Sequence, residues 1–312
     1  MENPRTSTFN QFDVVSQVPD HHFHLSSFNG SDRFTDCRGA VYKKIMQEWR
    51  ILQRNLPESI FVRVSETRID LLRAAIIGAA GTPYHDGLFF FDIAFPPDYP
   101  SQPPKVHYRS FGFSLNPNLY YSGHVCLSLL NTWRGQTSER WNPTQSTVLQ
   151  VLLSIQSLVL CENPYFNEPV VRPFKSSLTV ASQKYDRHAF VLTCKSAIQL
   201  IRNPPEGFEP LVKAHFRERA NAILAAIQAY ANGRARVGFY RDGGSSGQPG
   251  KISGSFLESM EWVYPSMVEK FRGIGAPVES AAEALRLGAE AMKKKMEIAR
   301  RKREGIQGAR SK

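Results

Sequence analysis

The chain of 312 residues is 42% hydrophobic and 21% charged, and its 39 Lys and Arg against 28 Asp and Glu give a formal charge of +11. This composition is ordinary for a globular protein and excludes a chain that is disordered throughout. No stretch approaches the roughly 18 consecutive apolar residues of a transmembrane helix, so a membrane-spanning protein is excluded as well. The polar N-terminus shows no apolar secretory segment, and we therefore expect a cytoplasmic or nuclear protein with reduced thiols.

The positive charge is concentrated at the C-terminal end. Residues 285–312 contain ten Lys or Arg and three Glu, a charge of +7, which leaves +4 for the other 284 residues. A basic segment can bind nucleic acid through phosphate contacts, but this one has no aromatic side chain that could stack on bases. Nucleic-acid binding through this segment is therefore a secondary hypothesis, and we do not expect nucleic acid as a partner.

The predicted elements begin with a polar arm over residues 1–36. Its histidines His21, His22 and His24 lack a Cys or carboxylate at zinc-ligand spacing, so we expect no metal site there. Apolar residues every three or four positions predict an amphipathic helix over 40–52. Four strand-like runs, separated by Gly- and Pro-containing turns, follow at 60–64, 71–77, 88–95 and 106–108. Connections this short favour an antiparallel meander over parallel strands.

The second half of the chain has helical patterns. These cover 146–160, 178–201 and 211–230. A Gly- and Ser-rich stretch then predicts a flexible linker, followed by a short helix over 256–271 that Pro265 interrupts and a long basic helix over 279–304. We therefore expect four parts, which are a flexible arm (1–36), an α+β domain with extra C-terminal helices (37–235), a linker (236–252) and a basic helical tail (253–312).

The segment LNPNLYYSGHVCL, residues 115–127, carries the most chemical information because an Asn-Pro-Asn turn precedes a cysteine. Upstream lies the proline-rich FDIAFPPDYPSQPPKV, and downstream lie Trp-Asn-Pro at 141–143 and Asn-Pro at 163–164. With these motifs in this order, residues from about 41 to 200 resemble the ubiquitin-conjugating enzyme family. The resemblance implies an α+β fold with an N-terminal helix, a four-stranded antiparallel meander and C-terminal helices.

The resemblance also implies a thioester mechanism centred on Cys126. This cysteine follows an irregular, Gly-containing segment that could leave its thiol exposed, whereas Cys161 and Cys194 lie in apolar helical patterns. Asn118 corresponds to the family's oxyanion-supporting Asn, although the same residue could simply hold the turn. His124 is two residues from Cys126, but its sequence position alone does not make it a base.

Other family positions match less closely. After the apolar helix the sequence reads NPYFNEP, in which Glu168 is the best match for the family's acidic residue and Asn167 is the alternative. The positions that dock a RING-type ubiquitin ligase correspond to Lys43, Lys44 and Pro143. Between Cys126 and the Trp-Asn-Pro motif the sequence is longer than in minimal members, and its Trp133, Arg134 and Arg140 could form a lid, an acceptor contact or a solvated loop.

The sequence therefore predicts an enzyme that accepts ubiquitin from the activating enzyme on Cys126 and passes it to a lysine of a protein substrate. We expect no cofactor, since no Walker-type loop is present and ATP would be consumed by the activating enzyme. The longer loop and the NPYFNEP variant resemble a branch of large hybrid conjugating enzymes and ligases, so ligase character and the need for a separate ligase stay open. A non-catalytic ubiquitin-binding scaffold is the alternative of the same fold, disfavoured because both Cys126 and Asn118 are present.

Overall fold

The computed structural model describes residues 9–25, 34, 36, 38–167, 180–241, 244–245, 252–288 and 290. The strands are β1 Phe12–Val15, β2 Ile60–Ser65, β3 Leu71–Ile77, β4 Leu88–Ala94, β5 Lys105–Tyr108, β6 Tyr240–Arg241 and β7 Gly244–Ser245. The α-helices are α1 Ala40–Asn55, α2 Val148–Ser154, α3 Val180–Arg202, α4 Glu209–Ala231 and α5 Gly254–Gly273. The predicted helix and the four predicted strands before residue 110 are confirmed to within three residues.

The central sheet has five strands in the order β1-β2-β3-β4-β5. Strands β2 to β5 form the predicted antiparallel meander. Strand β1 was not predicted, and it pairs in parallel with β2, with Phe12 opposite Val62. Residues 9–25 are thus not a flexible arm, because backbone hydrogen bonds hold the first part of this segment against the sheet.

The sheet is covered by apolar side chains on both faces. Every residue of β4 is buried. Phe89 and Phe91 point into a core shared with α1 and α2, while Phe90 points into a second core shared with α3, α4 and α5. Alternate side chains of a strand point to opposite faces, so a strand buried on both sides needs apolar residues at nearly every position. Each fully buried Phe contributes about 1.5–3 kcal/mol to folding.

Helix α5 is part of the second core. Its Phe256, Met267 and Phe271 are buried against α3 and α4. The predicted interruption at Pro265 is wrong, because the helix continues through this residue while its buried face stays packed. The boundary of the tail at 253 is therefore not a boundary of the core. Residues 279–288 are helical, and most of the predicted long basic helix lies outside the described residues.

A buried arginine ties the N-terminal segment to the sheet. The guanidinium of Arg73, fully buried on β3, donates hydrogen bonds to Asp92 on β4 and to Asp20, whose other oxygen accepts a bond from Arg109. Leaving a buried charge without its partner is strongly destabilising, so this network holds residues near Asp20 in place. Two residues later, the ring of His22 stacks on that of His107 with centroids 3.4 Å apart.

No helix in the described part of the chain is both long and apolar enough to cross a bilayer.

Candidate active site

The segment 115–127 forms a compact loop, which we call the catalytic loop. Its two sides meet where the Cys126 N–H donates to the Asn118 carbonyl at 2.9 Å and the Tyr120 N–H donates to the His124 carbonyl at 3.1 Å. Gly123 has φ +84°, and a Cβ at this position would collide with the His107 ring. Both the left-handed backbone and the close approach of His107 therefore require glycine at this turn.

Asn116 anchors the catalytic loop to the core. Its side-chain nitrogen donates to the Tyr84 hydroxyl at 2.8 Å and to the Val159 carbonyl at 2.7 Å, and its side-chain oxygen Oδ1 accepts the Asn118 N–H at 2.8 Å. Val159 is the last residue of the π-helical turn Ile155–Val159 that continues α2, and carbonyl groups at a helix end have no partner within the helix. The asparagine thus fixes the loop against the end of α2 and touches no thiol.

Cys126 lines a groove between the catalytic loop and α2. The groove has a volume of about 960 Å³, and Asn118, Trp141 and Leu158 also line it. The Cys126 residue is only 5% exposed, so the exposed thiol that its irregular sequence context suggests is not observed. Leu158, in contrast, is 60% exposed and offers an apolar surface on the opposite wall.

Burial raises the pKa of the Cys126 thiol, and a hydrogen bond with the Tyr120 side chain works in the opposite direction. The thiol is thus mainly protonated near neutral pH rather than held as a thiolate. Cys194 lies fully inside the second core and does not line the groove. Burial raises the pKa of its thiol as well. Cys161 is half-buried beside Asn167, and burial raises the pKa of this thiol too.

The side-chain amide of Asn118 donates to the carbonyl oxygen of Cys126 at 3.0 Å. Asn118 is itself buried, and its side-chain oxygen is buried without a hydrogen-bond partner in the described structure. In this conformation the amide therefore holds the backbone of the cysteine. The amide donor thus lies 3.0 Å from the backbone carbonyl of the residue that carries the thiol.

His124 lies on the other side of the catalytic loop from the thiol. It lines a separate depression with His22, Phe23 and His107, of about 690 Å³, whereas Cys126 faces the groove at α2. The structure therefore gives no support to a pairing of this histidine with the thiol.

Of the two candidates for the polar residue near the thiol, Glu168 lies outside the described residues. Asn167, at the end of the short helical turn Pro164–Asn167, lines the same groove as Cys126. Its amide donates to the Leu158 carbonyl at 3.0 Å and contacts the Cys161 sulfur at 3.8 Å. Asn167 thus shapes the wall of the groove opposite the catalytic loop.

Of the three residues suggested for ligase docking, two lie on α1 and one lies in the segment before α2. Lys43 is exposed on α1, Lys44 lies 3.6 Å from the carboxylate of Glu48, and Pro143 is exposed on the rim of the groove.

Sequence reasoning missed Glu48, which is fully buried and accepts bonds from the Tyr99 hydroxyl at 2.8 Å and the Val148 N–H at 3.0 Å. A charged residue at a buried helix position was the available signal, since buried carboxylates are almost always paired.

Within the described ranges, no three His, Cys, Asp or Glu side chains are close enough to share an ion. His21 from the predicted histidine cluster instead contacts the Leu72 carbonyl at 3.0 Å, and His22 stacks on His107.

Comparisons with known proteins agree with this geometry. The sequence profile described as "Ubiquitin-conjugating enzyme" matches residues 44–192. An Arabidopsis thaliana protein named "Probable ubiquitin-conjugating enzyme E2 24" is 50% identical over 281 residues, which is 88% of this chain but 30% of that protein. The chain likewise covers 37% of E2 25 and 20% of E2 23 from the same plant, so it spans less than two fifths of these three relatives.

Two further relatives differ widely in how much of their own length this chain covers. A protein provisionally named ubiquitin-conjugating enzyme E2 38, also of Arabidopsis thaliana, is 45% identical over 86% of this chain and 82% of its own length. The human protein "Dual E2 ubiquitin-conjugating enzyme/E3 ubiquitin-protein ligase BIRC6" is 39% identical over 71% of this chain and 5% of its own length. The alignment with E2 38 runs over most of both proteins and, like the profile match, includes the catalytic loop. The chain therefore belongs to the ubiquitin-conjugating enzyme family.

Proposed function

We propose that this chain accepts ubiquitin as a thioester on Cys126 and transfers it to a lysine amine of a protein substrate. In the first step the Cys126 sulfur attacks the thioester carbonyl on the activating enzyme, and the activating enzyme's thiol leaves. In the second step the lysine nitrogen attacks the new thioester, the C–S bond breaks, and one proton passes from the amine to the departing sulfur or to solvent. An isopeptide bond forms and the Cys126 thiol is regenerated.

The observation that carries the proposal is the position of Cys126 at the wall of an open groove, next to the amide of Asn118 and opposite the exposed Leu158. A groove of about 960 Å³ between a loop and a helix can hold the extended C-terminal segment of a partner protein.

The raised pKa of the Cys126 thiol suits a carrier. Transfer between two thioesters is nearly balanced in free energy, so the acceptor thiol needs access more than strong activation. A thiol with a high pKa is also a poorer leaving group, since thiols of lower pKa depart faster. We therefore expect the thioester to be hydrolysed slowly and to react mainly with an amine that is correctly positioned.

We assign Asn118 two roles that alternate. In the resting loop its amide holds the carbonyl of Cys126, and during lysine attack it would turn to the negative oxygen of the tetrahedral intermediate. The unpartnered side-chain oxygen of Asn118 supports this, because no hydrogen bond to that oxygen has to break when the side chain rotates.

The remaining partners follow from the same proposal. Ubiquitin, an activating enzyme and protein substrates are required by the reaction, and a ubiquitin ligase is proposed to dock at Lys43, Lys44 and Pro143. Glu168 is proposed to assist loss of the amine proton. Ligase character of its own is proposed only by analogy with the dual enzyme named above.

The proposal is tested by incubating the protein with activating enzyme, ATP and ubiquitin. We expect a ubiquitin adduct that thiol reductants cleave, and its replacement in Cys126→Ser by an adduct that resists them. Cys161→Ser is the matched control, since Cys161 is half-buried beside the groove wall and should leave the reducible adduct intact. Failure of the wild type to form the adduct would favour a non-catalytic ubiquitin-binding scaffold.

A further inference from the structure

Residues 128–140, the first part of the segment between the catalytic loop and α2, are held in place by hydrogen bonds within the chain. Thr132 donates to the Val125 carbonyl at 2.7 Å and accepts the Leu127 N–H at 3.0 Å. Further along, the Gln136 N–H donates to the Glu139 carboxylate at 3.1 Å. Gly135 packs so closely against Ser128 that a Cβ at this position would collide with the serine hydroxyl. We call this segment the gate loop.

The gate loop presents two arginines to solvent. Arg134 and Arg140 are both exposed, and in the described ranges no carboxylate lies within ion-pair distance of either guanidinium. The nearest acid in sequence, Glu139, is engaged with the backbone of Gln136. Two positive charges on an ordered loop therefore lack an anionic partner within the described structure.

These arginines line a depression that adjoins the groove at the thiol. The groove of about 960 Å³ contains Cys126, and a neighbouring depression of about 1150 Å³ contains Arg134. Both share the same four lining residues, Trp133, Thr137, Arg140 and Trp141. The lining of the second depression includes two tryptophans and two arginines but no acidic side chain. A peptide leaving Cys126 along this path meets positive charge and aromatic surface.

We propose that the gate loop is an acceptor subsite that binds an acidic segment flanking the lysine to be modified. This inference rests on the proposed function and specifies its substrate class. Guanidinium groups pair with carboxylates in a two-pronged geometry, and an indole provides a flat surface for the intervening side chains. The same charges act on the lysine itself, because nearby positive groups favour the neutral amine, which is the form that attacks a thioester.

The test compares two fluorescent peptides that each contain one lysine, flanked by glutamates in one and by glutamines in the other. Protein charged with ubiquitin at Cys126 is mixed with each peptide at low salt, and loss of the thioester is followed. We expect the glutamate peptide to react about two to thirty times faster, the range for two exposed ion pairs. The double variant Arg134→Gln/Arg140→Gln should lose this preference, and added salt should weaken it in the wild type.

Arg217→Gln, which removes an exposed arginine from α4, is the matched control and should keep the preference. Anisotropy of the same peptides with uncharged Cys126→Ser protein measures binding without any reaction. Equal rates and equal binding for the two peptides, or a preference that survives loss of both gate-loop arginines, would overturn the inference. If the wild type never forms a thioester, the proposed function fails, and the anisotropy alone then decides whether the subsite binds acidic peptide.

Discussion

Replacing Asn118 with alanine should separate its role in holding the catalytic loop from its role in the reaction. The change removes one hydrogen bond of 3.0 Å to the Cys126 carbonyl. Loss of the side-chain oxygen breaks no further hydrogen bond, because this oxygen makes none within the described structure. The backbone bond from the Cys126 N–H to the residue 118 carbonyl, at 2.9 Å, does not involve the side chain and should persist.

The two roles predict effects of different size. Loss of a single intramolecular hydrogen bond costs about 0.5–1.5 kcal/mol, which would slow any step that depends on the loop by about 2- to 13-fold. Loss of an oxyanion donor costs about 2.7–4 kcal/mol, or about 100- to 1000-fold in the rate of the step that forms the oxyanion. The ranges do not overlap, so the rate of transfer to lysine distinguishes the roles of Asn118.

The assay measures charging by the activating enzyme and discharge to free lysine separately, with urea unfolding as a third measurement. We expect Asn118→Ala to lower discharge at least 100-fold and charging less than about 13-fold. Asn116→Ala is the control, since it loses anchoring bonds to Tyr84 and Val159 but touches no thiol. It should lower stability and slow both steps alike. A loss of discharge rate below about 13-fold in Asn118→Ala would refute the oxyanion role.

Three further predictions concern the loop and the core. Gly123→Ala should slow charging more than Gly112→Ala, because both have positive φ but only the first Cβ would strike His107; charging rates of the two variants check this. Burial alone would raise the pKa of Asp86, but bonds from its His and Arg neighbours outweigh it and lower the pKa to about 2. A lowered carboxyl pKa gives stability that is present above about pH 4 and lost as the pH falls to about 2, so Asp86→Asn should flatten that part of a urea-unfolding profile. Glu48→Ala should cost about 2–4 kcal/mol in the same assay, because two buried donors lose their acceptor; a loss under 1 kcal/mol would contradict this.

The local part of the fold could be predicted from the sequence because its signals lie within a few residues. The run at 88–95 alternates between the two cores, and the turns around it contain Gly and Pro, so the meander is visible without any long-range information. Strand β1 has only four residues and pairs with residues fifty positions later, which no local pattern indicates. The predicted break at Pro265 is wrong because packing of α5 against the core outweighs the local helix-breaking tendency of proline.

The candidate site shows the same division. The motif spacing singled out Cys126 and Asn118, and the structure places them on facing sides of one loop, joined by hydrogen bonds in both directions. The sequence could not indicate that the asparagine amide points at a backbone carbonyl, because side-chain direction is set by packing around the loop. Nor could it show that Arg134 and Cys126 open onto adjoining depressions, since this depends on how the gate loop folds back.

The attachment of residues 9–25 has a practical consequence for recombinant fragments. A fragment trimmed to the boundary at residue 37 would lose Asp20 and leave the enclosed guanidinium of Arg73 open to water on one side. It would also lose His22, the ring stacked on His107, and His107 is the side chain against which Gly123 closes. Removing residues far from the thiol would thus disturb the catalytic loop, because His107 would lose the ring that packs on it. Low activity of such a short fragment would reflect a disturbed loop and not a weak catalytic site.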